Sequence, residues 1–439
     1  MEIKNYIKNE LKKKGFDDIV IVKTGSESKH LKFSKNKIIK TETGSSDDIS
    51  LFITKNKRVL YTNLKEFSKQ SIDIFIKKTL KFIKNLPENN NYYGIAEGPF
   101  KYKQFRSSYE KKVLDLDDID LLQKSINSSL NEGAKRTDGV YEVSRAKIEL
   151  LTSNKVDVEE FSSSLYLSMR SFVNKESSGH SNIISRTLKN FDVDYVGKNS
   201  GRIAKLSINP KDGKKGKYDI IFDPLPFSCL AAEIGNSSSI FSVESGLSFL
   251  ADKLKKQVAS KKFSLIDDPL YKDGIQATKF DLEGAPTRKK YIIEDGILNT
   301  YLHNTSTAKK YKTQTTGNAG LIAPQPWNLI VKPGKINHEH MFSHIKKGVY
   351  ITNLWYTRFT NHFTGDFSTM PRDGAFLIEN GEIKYPIKNI RISDNMLNIM
   401  KNIKEVSNNS IQTKSWESQE PAITPSVLVS NINITKPAS

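Results

Sequence analysis

Two segments far apart in the chain share one design: Ile292-Ile293-Glu294-Asp295-Gly296-Ile297-Leu298 and Leu377-Ile378-Glu379-Asn380-Gly381-Glu382-Ile383. Each sets Asp-Gly or Asn-Gly between short apolar runs. A two-residue loop with positive φ at both central residues suits Asn or Asp followed by Gly, and its twist matches that of paired strands. Each segment is therefore predicted to be a tight antiparallel hairpin, which commits the second half of the chain to a β-rich architecture.

The first half mixes helical and strand periods. Ile3, Ile7 and Leu11 stand four apart ahead of Gly15, as in a short amphipathic helix with a glycine cap. Residues 18–23, 37–43, 48–54 and 57–62 read as strands of a meander. A helix from about Asn63 then places Ile72, Ile76, Leu80 and Ile83 on one face before Pro87. The polar run Glu88-Asn89-Asn90-Asn91 reads as a linker. A second unit follows, with a helix over 114–134 burying Ile119, Leu122, Ile126 and Leu130, strands over 140–143, 146–152 and 163–172, and a helix over 193–206. The lysine- and glycine-rich run 211–217 reads as an exposed loop. After it come a strand over 218–222, a helix opened by Asp223-Pro224 and running to about Ile234, and a Ser/Asn-rich tail beyond Ser407 with one more strand over 426–434. The expected fold is α+β: two N-terminal α/β units with antiparallel sheets, 1–97 and 98–212, and a β-rich C-terminal domain, 213–439. A length of 439 residues fits this division, since single cores stop growing beyond roughly 250–300 residues.

Composition narrows the function classes. One cysteine, Cys229, excludes an intramolecular disulfide framework and cysteine-based zinc modules and fits a reducing compartment, so a cytoplasmic location is expected. No apolar stretch approaches the roughly eighteen residues of a membrane span, and the N-terminus lacks a signal-type apolar core. A net charge of +19 admits nucleic acid as a partner. The lysines, however, are scattered through every segment and are not interleaved with stacking aromatics, which argues for a solvated basic surface instead.

The usual chemistry-bearing motifs fail on inspection. In His338-Glu339-His340-Met341-Phe342-Ser343-His344, His340 and His344 stand four apart, but the residue after His340 is Met341, so the helical zinc-hydrolase pattern is out of register. A short surface helix capped by Asn337 is expected, with Met341, Phe342 and Ile345 buried and the histidines solvated. The acidic string Asp267, Asp268, Asp273, Asp281 and Glu283 lacks the spacing of a calcium loop and reads as turn chemistry. Cys229 sits among Phe227, Leu230 and Ala231, a setting for an inert buried thiol. There is no Gly-x-Ser-x-Gly elbow and no phosphate-binding glycine loop.

What remains is a set of polar, glycine-bearing stretches: Thr315-Thr316-Gly317-Asn318-Ala319-Gly320, Trp355-Tyr356-Thr357-Arg358-Phe359 and Thr364-Gly365-Asp366-Phe367-Ser368. Glycine lets a partner's backbone approach, and the flanking Thr and Asn can bond to it; equally, these are hairpin turns with satisfied side chains. Together with Phe280-Asp281-Leu282-Glu283-Gly284, the first hairpin, Tyr301-Leu302 and the second hairpin, these stretches resemble the C-terminal domain of the TldD/TldE (PmbA) family of cytosolic metallopeptidases. A weaker likeness around Phe33-Ser34-Lys35-Asn36-Lys37-Ile38 extends it over most of the chain.

In the TldD branch a helix carries His-Glu-x-x-x-His. Here the matching positions hold Ala231, Ala232 and Asn236, which supply neither a metal shell nor a base. The pattern is similar to the TldE/PmbA branch, and that resemblance implies no catalytic residue and no metal in this chain. It further implies a TldD-like subunit as heterodimer partner, or a second copy of this chain, with zinc in the TldD-like partner and unfolded peptides as substrates. Gly317, Asn318, Thr364, Gly365 and Asp366 are the candidate peptide contacts. The alternative is a non-proteolytic peptide-binding or regulatory homo-oligomer.

Overall fold

The computed structural model describes residues 3–418 and 420–436. Six strands build its N-terminal half: β1 Ile19–Ser34, β2 Lys37–Lys55, β3 Arg58–Leu64, β4 Arg136–Thr152, β5 Asp157–Phe172 and β6 Ser178–Ser185. They form one antiparallel sheet in the order β3-β2-β1-β4-β5-β6, so the sheet runs across position 97 and takes three strands from each side of it. Each side nevertheless has its own helical cover. Helices α1 (Ile3–Lys13) and α2 (Lys69–Ile83) pack over Ile19, Ile21, Ile49, Leu51 and Ile53 at one end. Helices α3 (Asp118–Asn131) and α4 (Val193–Leu206) pack over Leu31, Phe33, Tyr141 and Leu165 at the other. Ile19, Ile21, Leu31 and Phe33 alternate along β1, which puts both helical pairs on one face.

This arrangement explains where the expected boundaries fail. The strands expected over 37–43 and 48–54 are one strand, and the polar run Gly44-Ser45-Ser46-Asp47 pairs in register with Ser28, Glu27, Ser26 and Gly25. Likewise β4 is unbroken through Ser144 and Arg145. These middle stretches lie between the two helical pairs, where residues 41–48 are exposed. No core imposes apolar alternation there, and the backbone ladder alone carries the pairing. Asn63 and Leu64 complete β3, so α2 starts later than expected, with Ser68 as its N-cap. Helix α3 begins at Asp118, with Asp117 accepting from the Asp120 N–H, and leaves Ile119 63% exposed and outside the stripe.

The C-terminal half holds two sheets around one core. Val427–Thr435 pairs antiparallel with Gly216–Phe222, which runs parallel to Lys347–Ile351, at the centre of a ten-stranded sheet. A six-stranded sheet contains Leu265–Asp267, Lys290–Glu294 and Leu329–Val331. Helix α5 (Pro224–Ser237) shares the core with both. Both expected hairpins form, with φ of 46° and 83° at Asp295 and Gly296 and of 51° and 81° at Asn380 and Gly381. The tail beyond Ser407 is structural, supplying Ile411–Thr413, Ala422–Thr424 and the central Val427–Thr435. Within the expected loop 211–217, Lys211–Asp212 pairs with Ile387 and Lys388.

The halves are joined by apolar and polar contacts. Val20, Val22 and Leu150, on the sheet face away from the helices, pack with Phe280. Arg186 is 1% exposed and donates to the carbonyls of Ser108 (2.6 Å), Phe161 (3.1 Å), Gly274 and Ile275 (both 3.2 Å). It thereby pins the long connection before α3 to β5 and to the C-terminal half. Among the described residues no helix is long and apolar enough to cross a membrane.

Candidate functional site

Helix α5 carries the three positions singled out in the sequence. It opens with Asp223 at the N-cap and Pro224 in its first turn, as expected, but the Asp223 carboxylate does not cap it. That carboxylate accepts instead from Tyr350 Oη at 2.6 Å and Ser426 Oγ at 3.2 Å. Ala231 and Ala232 are buried in the C-terminal core. Gly235 is required by close packing, because a Cβ there would lie 2.5 Å from Leu329 Cδ1. Asn236 Nδ2 donates to Glu420 Oε2 at 3.4 Å. Among the described residues no group of three or more His, Cys, Asp or Glu side chains is arranged to hold a metal ion.

Residues 414–418 and Glu420 strap across this part of α5. Both oxygens of Glu417 accept from the Thr357 N–H, at 3.0 and 2.9 Å, and Arg358 Nη1 donates to it at 3.1 Å. Trp416 packs on Trp355 and Tyr356, with ring centroids 4.9 and 6.0 Å away. Tyr356 itself takes a φ of 55° at an irregularity in the pairing of Leu354–Asn361 with Asp366–Pro371. Under the strap, burial and then the charges of Glu420 and Glu417 push the Glu233 carboxyl up to about 7, with Arg358 opposing. Cys229 lies 3.7 Å from Thr357 Oγ1, and burial pushes its thiol up to about 12, in keeping with an unreactive thiol. Sequence reasoning missed Glu233, Glu417 and Glu420 because two of them lie in a stretch without periodicity.

The candidate peptide contacts fall in two different environments. Asn318 is fully buried, donating from Nδ2 to Asp267 Oδ2 at 2.7 Å and to the Gln325 carbonyl at 2.8 Å. Gly317 accepts from Trp327 Nε1 at 2.9 Å, and a Cβ on it would meet the Pro286 carbonyl at 2.7 Å. Both residues hold the C-terminal half together and present no free face to a peptide. Thr364 and Asp366 are the exposed residues of a turn whose Gly365 is buried against Phe249, and Asn395 Nδ2 donates to the Thr364 carbonyl (2.8 Å) and to Asp366 Oδ1 (2.9 Å). The structure does not bring that turn and Asn318 together through any hydrogen bond among the described residues.

Two other expectations change. The acidic string is buried chemistry: Asp267 and Asp281 are inaccessible, Asp267 pairs with Lys290 at 2.9 Å, and Asp281 accepts from the backbone N–H of Ala319, Glu283 and Ala285. The expected turn chemistry is there, with Asp268 Oδ1 accepting from the Leu270 N–H at 3.1 Å, and what is new is its burial, met by backbone donors and by Lys290 and Asn318. In the short helix His338–Phe342, Asn337 caps and Met341 is buried as expected, whereas His338 is not solvated. Its Nδ1 shares a hydrogen bond with Ser426 Oγ at 3.0 Å, and its ring packs against Tyr350 and Phe342.

Comparison with known proteins gives this geometry a context. Residues 215–436, just over half of the chain, match the PmbA/TldA metallopeptidase C-terminal domain. An uncharacterized protein of Methanocaldococcus jannaschii is 27% identical over 427 residues, covering 95% of this chain and 96% of that protein. Metalloprotease PmbA of Escherichia coli is 30% identical over 223 residues, 51% of this chain and 48% of its own length, so the chain matches about half of that relative. The solved structure of TldE from Thermococcus kodakarensis superposes with a TM-score of 0.86 at 22% identity, covering 99% of this chain and 100% of that one, and shares its fold.

Proposed function

The chain belongs to the PmbA/TldD metallopeptidase family, and on that premise we propose that it is a TldE-like subunit of a cytoplasmic peptidase acting on unfolded peptides. In this reading it does not hold the metal. A TldD-like partner supplies zinc and the general base, and this chain supplies walls and contacts for the peptide. The observation that carries the reading is the composition of α5: Ala231 and Ala232 offer no lone pairs, and the amide of Asn236 is engaged by Glu420. A metal-activated water needs both a shell and a base, and these positions provide neither. The residues present do not fit a zinc ion.

Long exposed strands between the two helical pairs support the peptide part of the reading. An extended chain recognised along such strands would be held through its main chain and tolerated for its sequence. The test is cleavage of a long unstructured polypeptide by a zinc-bearing relative with and without this chain, paired with metal analysis of each. Activity that appears or rises several-fold only on mixing supports the subunit role. Full activity from the relative alone removes it, and stoichiometric zinc in this chain alone removes the proposed division of labour.

A further inference from the structure

The sheet face that meets the C-terminal half does not close on it completely. Beside the contact of Val20 and Val22 with Phe280 lies a cleft of about 260 Å³, walled by Phe52, Tyr92 and Ile95 from the first half and by Phe241, Leu282 and Leu321 from the second. Its exposed lining includes two apolar side chains, Phe241 (47% exposed) and Ile322 (65%), together with Asn89 and Asn91. Its lining also includes a buried acid, Glu283, which is 6% exposed and accepts from the Thr305 N–H at 3.2 Å. The lysine of the lining, Lys310, is already engaged by Glu244 at 2.7 Å.

The one charge that bears directly on that acid is negative. Asp281 lies in the same loop; from the first half Tyr92 donates to Asp18 at 2.7 Å; Glu244 and Lys310 offset one another at the wall. Burial and then Asp281 hold the Glu283 carboxyl protonated to higher pH than an exposed glutamate. Such a group, which has no ion pair of its own among the described residues, gains from a ligand that brings a cation. Sites that engulf drug-sized ligands hold roughly 300–1,000 Å³, so this cleft suits one residue and not a length of chain.

We propose that the cleft binds the N-terminal residue of an unfolded peptide, its apolar side chain between Phe52 and Phe241 and its α-ammonium on Glu283. The inference rests on the reading of this chain as a peptide-binding subunit and adds a preference to it: a free N-terminus followed by apolar side-chain contact. Ionisation of Glu283 by the incoming ammonium releases a proton to solvent, which gives a second readout.

The experiment is calorimetric titration of the full chain with a pentapeptide beginning with leucine, free or acetylated at its N-terminus, in two buffers of different ionisation enthalpy. Acetylation weakens binding by roughly tenfold or more, the scale of a lost charged hydrogen bond. Glu283→Gln, which keeps the shape of the neutral acid, weakens the free peptide to the same degree, abolishes proton release and leaves the acetylated peptide unchanged. Phe241→Ala, at the exposed mouth, weakens the free peptide without touching the acid. Equal affinity for both peptides, or no binding of the free pentapeptide at millimolar concentration, overturns the inference. Neither result bears on cleavage of a long substrate by the mixed subunits, so the two readings fail separately.

Discussion

The side-chain amide of Asn318 donates to Asp267 Oδ2 at 2.7 Å, and the same carboxylate receives the Lys290 ammonium at 2.9 Å and the Trp327 N–H at 2.8 Å. A residue that looks like a ligand contact in the sequence thus helps satisfy a buried charge. Asn318→Ala leaves Asp267 with one donor fewer in a place water does not reach, and costs about 1.5–3 kcal/mol. Asn318→Asp sets a second carboxylate against the first and costs more. Urea unfolding measures both, and peptide affinity of the folded Asn318→Ala chain stays at the wild-type value.

Arg186, which lines a cavity with Trp327, makes a similar claim on stability. Its guanidinium serves carbonyls from three separate segments, and burial lowers its affinity for the proton. Arg186→Met removes every donor at once, and with the carbonyls left dry the loss is about 3 kcal/mol. Arg186→Lys recovers little of it, because one ammonium does not span the same acceptors. The connection before α3 is released along with the arginine, so limited proteolysis within residues 98–112 accelerates in both variants.

The elements that packing dictates were legible in the sequence. The α1 and α2 stripes, the helix over 193–206, the Asp223-Pro224 helix start and both Gly-containing hairpins follow from local rules and appear as read. Illegible were the features whose partners lie far away in the chain. Gly44-Ser45-Ser46-Asp47 reads as a turn, yet its pairing with Gly25–Ser28 of β1 keeps it extended. His338 reads as a surface residue, and only Ser426 and Tyr350, remote in sequence, show it to be packed. At the candidate site, Ala231, Ala232 and Asn236 can be placed on one helix from the sequence alone. The strap that engages it cannot, because Glu417 and Glu420 sit in an aperiodic stretch whose role depends on Thr357 and Asn236.

Glu233 makes stability depend on pH in a known direction. Burial, then Glu420 and Glu417, raise its carboxyl from 4.5 to about 7 in the folded chain. Between those values the folded state keeps a proton that the unfolded state has released, so stability falls as pH rises and the loss is complete above about 7. Glu233→Gln removes this penalty and stabilises the chain at pH 8 by roughly 2 kcal/mol, with little effect near pH 4. Urea midpoints of both proteins across that range decide the matter; parallel pH profiles would show that folding does not shift Glu233.

The Thr364-Gly365-Asp366 turn separates stability from recognition. Its Asp366 carboxylate is held below the usual range by hydrogen bonds from Asn395 and Thr364, all at the surface. Because the turn is exposed, Asp366→Ala changes unfolding free energy by no more than about 1 kcal/mol. If the proposed subunit reading holds, this turn contacts the bound peptide equally in the ground and transition states. The mixed subunits carrying Asp366→Ala then show KM for an unstructured substrate raised several-fold with kcat unchanged. A wild-type KM would take the turn out of the peptide's path, leaving Thr364 and Asp366 with the purely local task of bonding one another and Asn395 where two strands join.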